Sequence, residues 1–149
     1  MTEKQCVKAY NKILKQIEGH IGKNTTYSET LDDLGNSLFG VKFAGVYPSD
    51  KIPALNDKTP YCVLNVDKSN QPGSHWVALV KHGNHCIFYD SFGRKGSRLI
   101  PDVMFSGNGR LIDTDKDKEQ KIKETNCGAR SLAFLVFFDK FGEKPALKI

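Results

Sequence analysis

Two apolar runs on either side of the dipeptide Gly83-Asn84 constrain this chain more than any other part of its sequence. The runs are HWVALVKH (75–82) and HCIFYDSF (85–92). Strand-like runs separated by a Gly-Asn pair predict a β-hairpin with a two-residue loop. In that hairpin His82 pairs directly with His85.

The same register fixes which side chains meet at the open end of the hairpin. Carried along both strands, it places His75 opposite Phe92 and puts Asp90 on the diagonal from His75. Both side chains then share one face of the sheet and lie within reach of each other, because side chains alternate between faces. The sequence therefore predicts a contact between His75 and Asp90.

The other segments predict a mixture of helices and strands. The predicted elements are helices over 3–21, over 30–40 and from near Cys127 to near Lys140, strands over 61–67 and near 110–114, a loop over 46–60, and an exposed polar segment over 116–125. The order of helix, antiparallel strands and helix indicates the α+β class.

Two of these helices carry terminal signals. Thr2 and Gln5 have the spacing of a capping box at the start of the first helix, and Gly22 fits its end. Thr30 is the predicted N-cap of the second helix, with Gly35 near its end.

Composition indicates one globular domain over residues 1–149. The chain is 39% hydrophobic and 26% charged, and no apolar run approaches the ~20 residues that cross a bilayer. We therefore expect no membrane partner, and the opening MTEKQCVKAY lacks the apolar region of a secretory signal. Four cysteines are scattered without a CxxC pair, which favours free thiols in an intracellular protein.

Charge leaves two interpretations open. The net charge is +5 and the isoelectric point is about 9.0, which favours encounter with polyanions such as DNA or RNA. The lysines are spread along the chain, however, and this favours solvated faces over one binding patch. Weak, sequence-independent nucleic-acid binding is the other interpretation.

Cys127 is the candidate nucleophile. It opens an apolar helix, and a helix N-terminus stabilises a thiolate. Asn126 and Thr125 are predicted caps, and Gly128 is expected to leave the backbone open to a substrate carbonyl. Considered alone, a cysteine at the start of a core helix is more often simply small and buried.

His75 is the candidate base. It begins a strand, where it can face a cleft, and Trp76 beside it could exclude water and pack on an imidazolium. Asp90 would orient the imidazole. Each residue alone has a simpler interpretation, as a strand histidine and a turn aspartate. His82 and His85 lack obvious further ligands, so no metal site is predicted.

Acyl transfer also needs donors for the developing oxyanion. The backbone N–H of Cys127 is one candidate. The side-chain amide of Gln120 is another if its segment folds back over the cysteine.

Three motifs resemble a known family. GSHWVAL, FYDSFG and Gln120 followed by NCGARSLAFL resemble the adenovirus-type maturation proteases, or adenains, and more broadly the Ulp1/SENP clan of cysteine peptidases. Upstream, DDLGNSLFGVKFAGVYPSDKIP resembles the adenain N-terminal region. The resemblance covers roughly residues 30–138.

The resemblance implies a role for each candidate residue. Cys127 would be the nucleophile, His75 the general base, Asp90 its orienting acid, Gln120 the oxyanion donor and Trp76 the structural companion of the base. The implied fold is a papain-like α+β core in permuted order, with a mixed sheet packed against helices and the nucleophile at a helix N-terminus. The implied reaction is peptide-bond hydrolysis through a thioester, with no cofactor required.

The resemblance also implies a biological setting. We expect an endopeptidase that cleaves capsid or other precursor proteins of a DNA virus, such as a virophage, in the virion or in the host cytoplasm or nucleus. The alternatives are an isopeptidase that removes SUMO or ubiquitin-like tags, and a catalytically silent module that binds nucleic acid or protein. Oligomeric state is not predicted.

Three differences from adenains alter these expectations. The acid is Asp where adenains use Glu, and the chain ends soon after the helix of Cys127. No cysteine lies between Cys86 and Cys127 to match the position at which adenains link an activating peptide. A covalent peptide activator is therefore not expected, whereas the basic charge is compatible with stimulation by DNA.

Overall fold

One mixed sheet and a set of helices make up the computed structural model, which describes residues 1–24, 26–115, 118–121 and 123–149. The helices are α1 (Glu3–Ile21), α2 (Ser28–Phe39), α3 (Gly96–Leu99), α4 (Cys127–Phe141) and α5 (Glu143–Ala146). The strands are β1 (Phe43–Tyr47), β2 (Tyr61–Asn65), β3 (Trp76–His82), β4 (His85–Tyr89) and β5 (Arg110–Asp113). Short 3₁₀ turns cover Gly40–Lys42 and Pro101–Phe105. The predicted α+β class is confirmed.

The strands follow the order β1-β2-β3-β4-β5 across the sheet. The inner pairs β2/β3 and β3/β4 are antiparallel, while β1 and β5 run parallel to their neighbours. The predicted loop over 46–60 is wrong for Val46 and Tyr47, which belong to β1. At Gly45 the backbone has φ +126° and the pairing with β2 shifts. This irregularity interrupts the apolar/polar alternation of β1, and a strand of five residues has little other signal in the sequence.

The predicted hairpin register is confirmed. His82 pairs with His85, and the pairing continues without a shift through five residue pairs. Gly83 adopts φ +62°, the left-handed conformation that a two-residue hairpin loop requires. His75 therefore directly precedes β3, and Asp90 directly follows β4.

Strand side chains alternate between two apolar cores, one on each face of the sheet. Val80 and Ile87 pack with the helices α1, α2 and α4, while Leu79 and Phe88 pack on the opposite face beneath Ile100. Every residue of α4 from 127 to 135 is buried, so the start of this helix is held firmly against the sheet. No helix in the described part of the chain is both long and apolar enough to cross a membrane.

The four cysteines are unpaired, as predicted. The free, buried thiols are Cys6, Cys62, Cys86 and Cys127. Three of them lie in the cores as small apolar residues, and the fourth is the first residue of α4.

The first helix has the predicted ends. The hydroxyl of Thr2 accepts from the N–H of Gln5 at 3.1 Å, and the side chain of Gln5 accepts from the N–H of Thr2 at 2.8 Å. Gly22 follows the last turn and donates back to the carbonyl of Glu18 at 2.8 Å. Both the capping box and the glycine stop are thus confirmed.

The second helix differs from its prediction. It begins at Ser28 with Tyr27 at the N-cap position, so Thr30 as the N-cap is wrong. Gly35 lies inside the helix rather than near its end, because it is a contact point: a Cβ there would approach the Phe43 ring to 2.4 Å. Close packing of α2 on β1, and not helix termination, explains this glycine.

We expect Gly35→Ala to destabilise the fold, because the new methyl group collides with the buried Phe43 ring. Overpacking of this kind costs about 1–3 kcal/mol. Gly19→Ala is the matched control, since it lies in α1 and a Cβ there meets nothing within 4 Å. Alanine should stabilise that site by roughly 0.5–1 kcal/mol. Urea unfolding would measure the free energy of unfolding of both variants. A Gly35→Ala variant as stable as Gly19→Ala would contradict the packing argument.

Candidate active site

The thiol of Cys127 lies where the start of α4 meets the start of β3. Its Sγ accepts a hydrogen bond from the backbone N–H of Trp76 at 3.4 Å, and the residue is 8% exposed. The free N–H groups of the first helical turn add further positive potential. The predicted position of Cys127 at a helix N-terminus is confirmed, and its surroundings stabilise negative charge on sulfur.

The prediction of Asn126 and Thr125 as caps of this helix is confirmed only for the position of Asn126. Asn126 occupies the N-cap position with φ −97° and ψ 27°, and its side chain caps no helical N–H. A residue whose side chain caps a helix has an extended backbone, and Asn126 does not. Its amide instead donates to Glu18 at 3.1 Å and accepts from Arg130 at 3.1 Å. Thr125 is exposed.

The predicted contact between His75 and Asp90 is present. Nε2 of His75 lies 2.5 Å from Oδ1 of Asp90, and both residues are buried. The hairpin register produces this contact, because each residue directly adjoins its strand on the same side of the pleat. Since Nε2 is occupied by Asp90, Nδ1 is the ring nitrogen left for the hydrogen bond with Cys127.

Arg94 also binds Asp90, a contact that sequence reasoning missed. Its backbone N–H and its Nε donate to Oδ2 at 3.0 and 2.8 Å. The tight turn after β4, closed by the hydrogen bond from Gly93 N–H to the carbonyl of Asp90 at 2.8 Å, brings Arg94 back over the carboxylate. The turn sequence DSFGR was the available signal, because an arginine four residues after an aspartate can pair with it.

Phe92 packs on the imidazole of His75, with ring centroids 5.3 Å apart. The guanidinium of Arg94 and the ammonium of Lys118 lie 5.1 and 5.4 Å from the Phe92 centroid. A phenyl ring attracts cations through its electron-rich face. The sequence assigned the packing role to Trp76, whereas Phe92 is the ring that lies beside the imidazole.

Trp76 and Gly128 instead pack against each other. Trp76 donates from Nε1 to the carbonyl of Thr26 at 3.1 Å. A Cβ at Gly128 would lie 3.0 Å from Leu31 and 3.3 Å from the Trp76 ring. Leu31 and Trp76 therefore leave little room for a side chain at position 128, and the expected approach of a substrate carbonyl to the backbone of Gly128 stays a prediction.

These contacts shift three ionisations in concert. Burial opposes the charge of Asp90, but hydrogen bonds from His75 and Arg94 outweigh it and lower the pKa to about 2. Burial also opposes the imidazolium of His75, yet its hydrogen bonds with Asp90 and Cys127 raise its pKa. Burial would raise the pKa of Cys127, but hydrogen bonds from His75 and the N–H of Trp76 lower it. The arrangement favours an imidazolium held between a thiolate and a carboxylate.

Gln120 is buried, and its side-chain amide is held from both ends. Oε1 accepts from the hydroxyl of Ser91 at 2.5 Å, and Nε2 donates to the carbonyl of Glu124 at 2.6 Å. The backbone N–H of Gln120 also donates to the carbonyl of Ser91 at 2.9 Å. One hydrogen of Nε2 remains for another acceptor.

The predicted exposed segment over 116–125 is wrong at Gln120, which is 3% exposed. The anchoring role of Ser91 was missed, although it lies in the quoted motif FYDSFG, because its partner is 29 residues away. Residues 116, 117 and 122 lie outside the described residues.

Cys127, His75, Trp76 and Gln120 line one cleft with a volume of about 530 Å³. Asn65 also lines it, and sequence reasoning missed this residue. Asn65 is 5% exposed, and its Nδ2 has no hydrogen-bond partner among the described residues. Its one sequence signal was a polar side chain at the end of the otherwise apolar strand YCVLN.

Titratable groups elsewhere behave differently. Burial raises the pKa of Cys62, and it raises that of Cys86 to about 11. His85 hydrogen-bonds Glu143, and His82 lies 3.9 Å from the same carboxylate. In the described ranges, no cluster of three or more His, Cys, Asp and Glu side chains could hold a metal ion.

The chain matches none of the protein families with which it was compared. It is similar to a protein named "Putative thiol protease" from Acanthamoeba polyphaga mimivirus, with 26% identity over 149 aligned positions. The alignment covers 76% of this chain and 48% of the mimivirus protein, so the chain spans about half the length of that relative.

We expect Cys127 to be alkylated by iodoacetamide at pH 6 faster than an unperturbed thiol. Because its pKa is lowered, the thiolate persists as the pH falls, whereas a thiol of pKa about 8.5 is then only about 0.3% ionised. His75→Ala removes the imidazolium, so the rate at pH 6 should fall about 10- to 100-fold. Peptide mass spectrometry between pH 5 and 9 would follow all four cysteines separately.

His82→Ala is the matched control for this measurement, because His82 is half exposed on the far side of the hairpin. It should leave the alkylation profile of Cys127 unchanged. Equal rates for the wild type and His75→Ala at every pH would contradict a thiolate–imidazolium pair.

Proposed function

We propose that this chain is a cysteine endopeptidase that acts through Cys127, His75 and Asp90. One observation carries the proposal: the buried imidazole of His75 is held by Asp90 and hydrogen-bonded to a thiol at a helix N-terminus. Burial among apolar side chains raises the pKa of a structural cysteine, whereas the surroundings of Cys127 lower it. The similarity to a mimivirus protein named as a thiol protease supports the same conclusion.

The chemistry follows from these positions. The Cys127 thiolate attacks the scissile carbonyl carbon, a C–S bond forms, and the carbonyl electrons move to oxygen. Collapse of this tetrahedral intermediate breaks the C–N bond, and His75 gives its proton to the leaving amine. His75 then takes a proton from water, whose oxygen attacks the thioester carbon. Collapse of this second tetrahedral intermediate breaks the C–S bond, releases the carboxylic acid and restores the Cys127 thiolate beside the His75 imidazolium.

Two donors could stabilise the oxyanion in each half of this reaction. They are the N–H of Cys127 and the hydrogen of Gln120 Nε2 that Glu124 does not use. Loss of one such donor typically costs about 10²- to 10³-fold in kcat. Asp90 stays ionised throughout, because its pKa is far below neutral pH, and it keeps Nδ1 of His75 directed at the sulfur.

We base the finer assignments on the resemblance to adenains and the Ulp1/SENP clan. The chain order His75, Asp90, Gln120, Cys127 is that of the clan, and it implies the permuted papain-like core. The proposed substrates are capsid or other precursor proteins of a DNA virus, cleaved in the virion or in the host cytoplasm or nucleus. No cofactor is required. Non-specific DNA is a proposed activator, supported by the net charge of +5.

The test is hydrolysis of a diverse peptide library by the purified chain, read by mass spectrometry. Cys127→Ala and His75→Ala should each reduce turnover more than about 10³-fold, because either change removes the nucleophilic pair. Cys86→Ala, a buried thiol away from the cleft, should retain turnover. Gln120→Ala should lower kcat about 10²- to 10³-fold with little change in KM.

Two other outcomes would replace the proposal. Cleavage of an isopeptide-linked ubiquitin-like conjugate, without cleavage of any linear peptide, would identify a deconjugating isopeptidase. Absence of turnover on both substrate types, with or without DNA, would identify a silent binding module.

A further inference from the structure

A buried arginine lies one helical turn beyond the nucleophile and binds three groups from different parts of the chain. Arg130 is 6% exposed. Its Nε donates to Oδ1 of Asn126 at 3.1 Å, its Nη2 to Oε2 of Glu124 at 3.4 Å and its Nη1 to the hydroxyl of Tyr10 at 3.5 Å. The guanidinium thus joins α1, the start of α4 and the segment that carries Gln120.

Glu124 is the point at which this network reaches the cleft. Its carboxylate accepts from the N–H of Lys121 at 2.7 Å as well as from Arg130, and its N–H donates to the carbonyl of Lys121 at 2.9 Å. Its own carbonyl accepts from Nε2 of Gln120 at 2.6 Å. The direction of the Gln120 amide therefore depends on Glu124, whose side chain Arg130 holds.

Arg130 lies among mostly buried, apolar neighbours along α4, where a guanidinium carries a large desolvation penalty. Its hydrogen bonds to Asn126, Glu124 and Tyr10 offset part of that penalty. A planar group with five donors can, however, fix three acceptors in one geometry. That property matters where a hydrogen-bond donor must be aimed at a reacting atom.

We propose that Arg130 and Glu124 are positioning residues that aim the Gln120 amide at the oxyanion. The inference rests on the proposed function, because it assigns a means of control to the same site. Arg130 contacts neither the sulfur nor the imidazole in any described hydrogen bond. It acts through the chain Arg130, Glu124, Gln120, so its loss should impair formation of the tetrahedral intermediate while leaving the thiolate intact.

Two reactions of Cys127 separate these effects. Acylation by p-nitrophenyl acetate passes through an oxyanion, and the burst of p-nitrophenol measures its rate. Alkylation by iodoacetamide is a substitution at saturated carbon and forms no oxyanion. Arg130→Met should lower the acylation rate about 10- to 100-fold, since a displacement of about 1 Å can cost 10²-fold. It should leave the alkylation rate at pH 6 within about two-fold of the wild type.

Further variants test whether Arg130 acts through Gln120. In a Gln120→Ala background, Arg130→Met should lower acylation no further, because the group it positions is gone. Arg130→Lys keeps the positive charge but lacks the planar guanidinium, so its acylation rate should lie between those of Arg130→Met and the wild type. Lys123→Ala, an exposed residue of the same segment, is the matched control and should behave as the wild type. Cys127→Ala gives the background reaction of other nucleophiles.

A second variant keeps the test decisive if Arg130→Met does not fold. The side chain of Glu124 is 35% exposed, and Glu124→Gln retains an acceptor for the N–H of Lys121 while losing the ion pair. It should lower acylation and spare alkylation in the same pattern. A circular dichroism melt of each variant reports whether the fold is kept.

The outcomes distinguish the two claims. Wild-type protein that is alkylated rapidly but never acylated overturns the proposed function and this inference with it. An active wild type whose acylation is unaffected by Arg130→Met and Glu124→Gln overturns the inference alone. Equal loss of acylation and alkylation, or a further loss in the Gln120→Ala background, also overturns it and leaves Arg130 a purely structural role.

Discussion

The hydrogen bond between His75 and Asp90 is the interaction on which the candidate site depends. It joins the two open ends of one hairpin, so its geometry is set by the strand register and not by a mobile loop. A shift of one residue in that register would send the two side chains to opposite faces of the sheet. The buried strand faces oppose such a shift, because it would expose both apolar cores. The geometry of the candidate site is therefore supported by the same burial that stabilises the sheet.

A second element, α4, completes the site from the other side. Its first nine residues are buried, and Gly128 lets the helix approach Trp76 closely. The N–H of Trp76 then reaches the sulfur of Cys127, while His75, one residue earlier, faces Asp90. One strand end thus supplies both a donor for the thiolate and its partner imidazole. The juxtaposition of Cys127 and His75 results from two packed elements that meet at that point.

The parts of the site that the sequence predicts correctly are those governed by local periodicity. The Gly-Asn loop fixes pairing across a few residues, and alternation then places His75 and Asp90 on one face. The first residue of an apolar helix is likewise readable, which located Cys127. Two of the missed contacts join distant segments: Arg130 with Tyr10, 120 residues apart, and Ser91 with Gln120, 29 residues apart. Gly35 resembled a helix end although it is a packing contact with Phe43, because sequence does not show what packs against a missing side chain.

If Cys127, His75 and Asp90 form the proposed site, the free protein holds the Cys127 thiol as a thiolate beside the His75 imidazolium. The most direct measurement is the ultraviolet absorbance of the thiolate near 240 nm, taken as the difference between wild type and Cys127→Ala during a pH titration. We expect this absorbance to survive below the pH at which ordinary thiols with pKa about 8.5 are protonated, since His75 and Trp76 lower the pKa of Cys127. In His75→Ala the midpoint should rise. A wild-type midpoint at or above that of an ordinary thiol would contradict a thiolate–imidazolium pair.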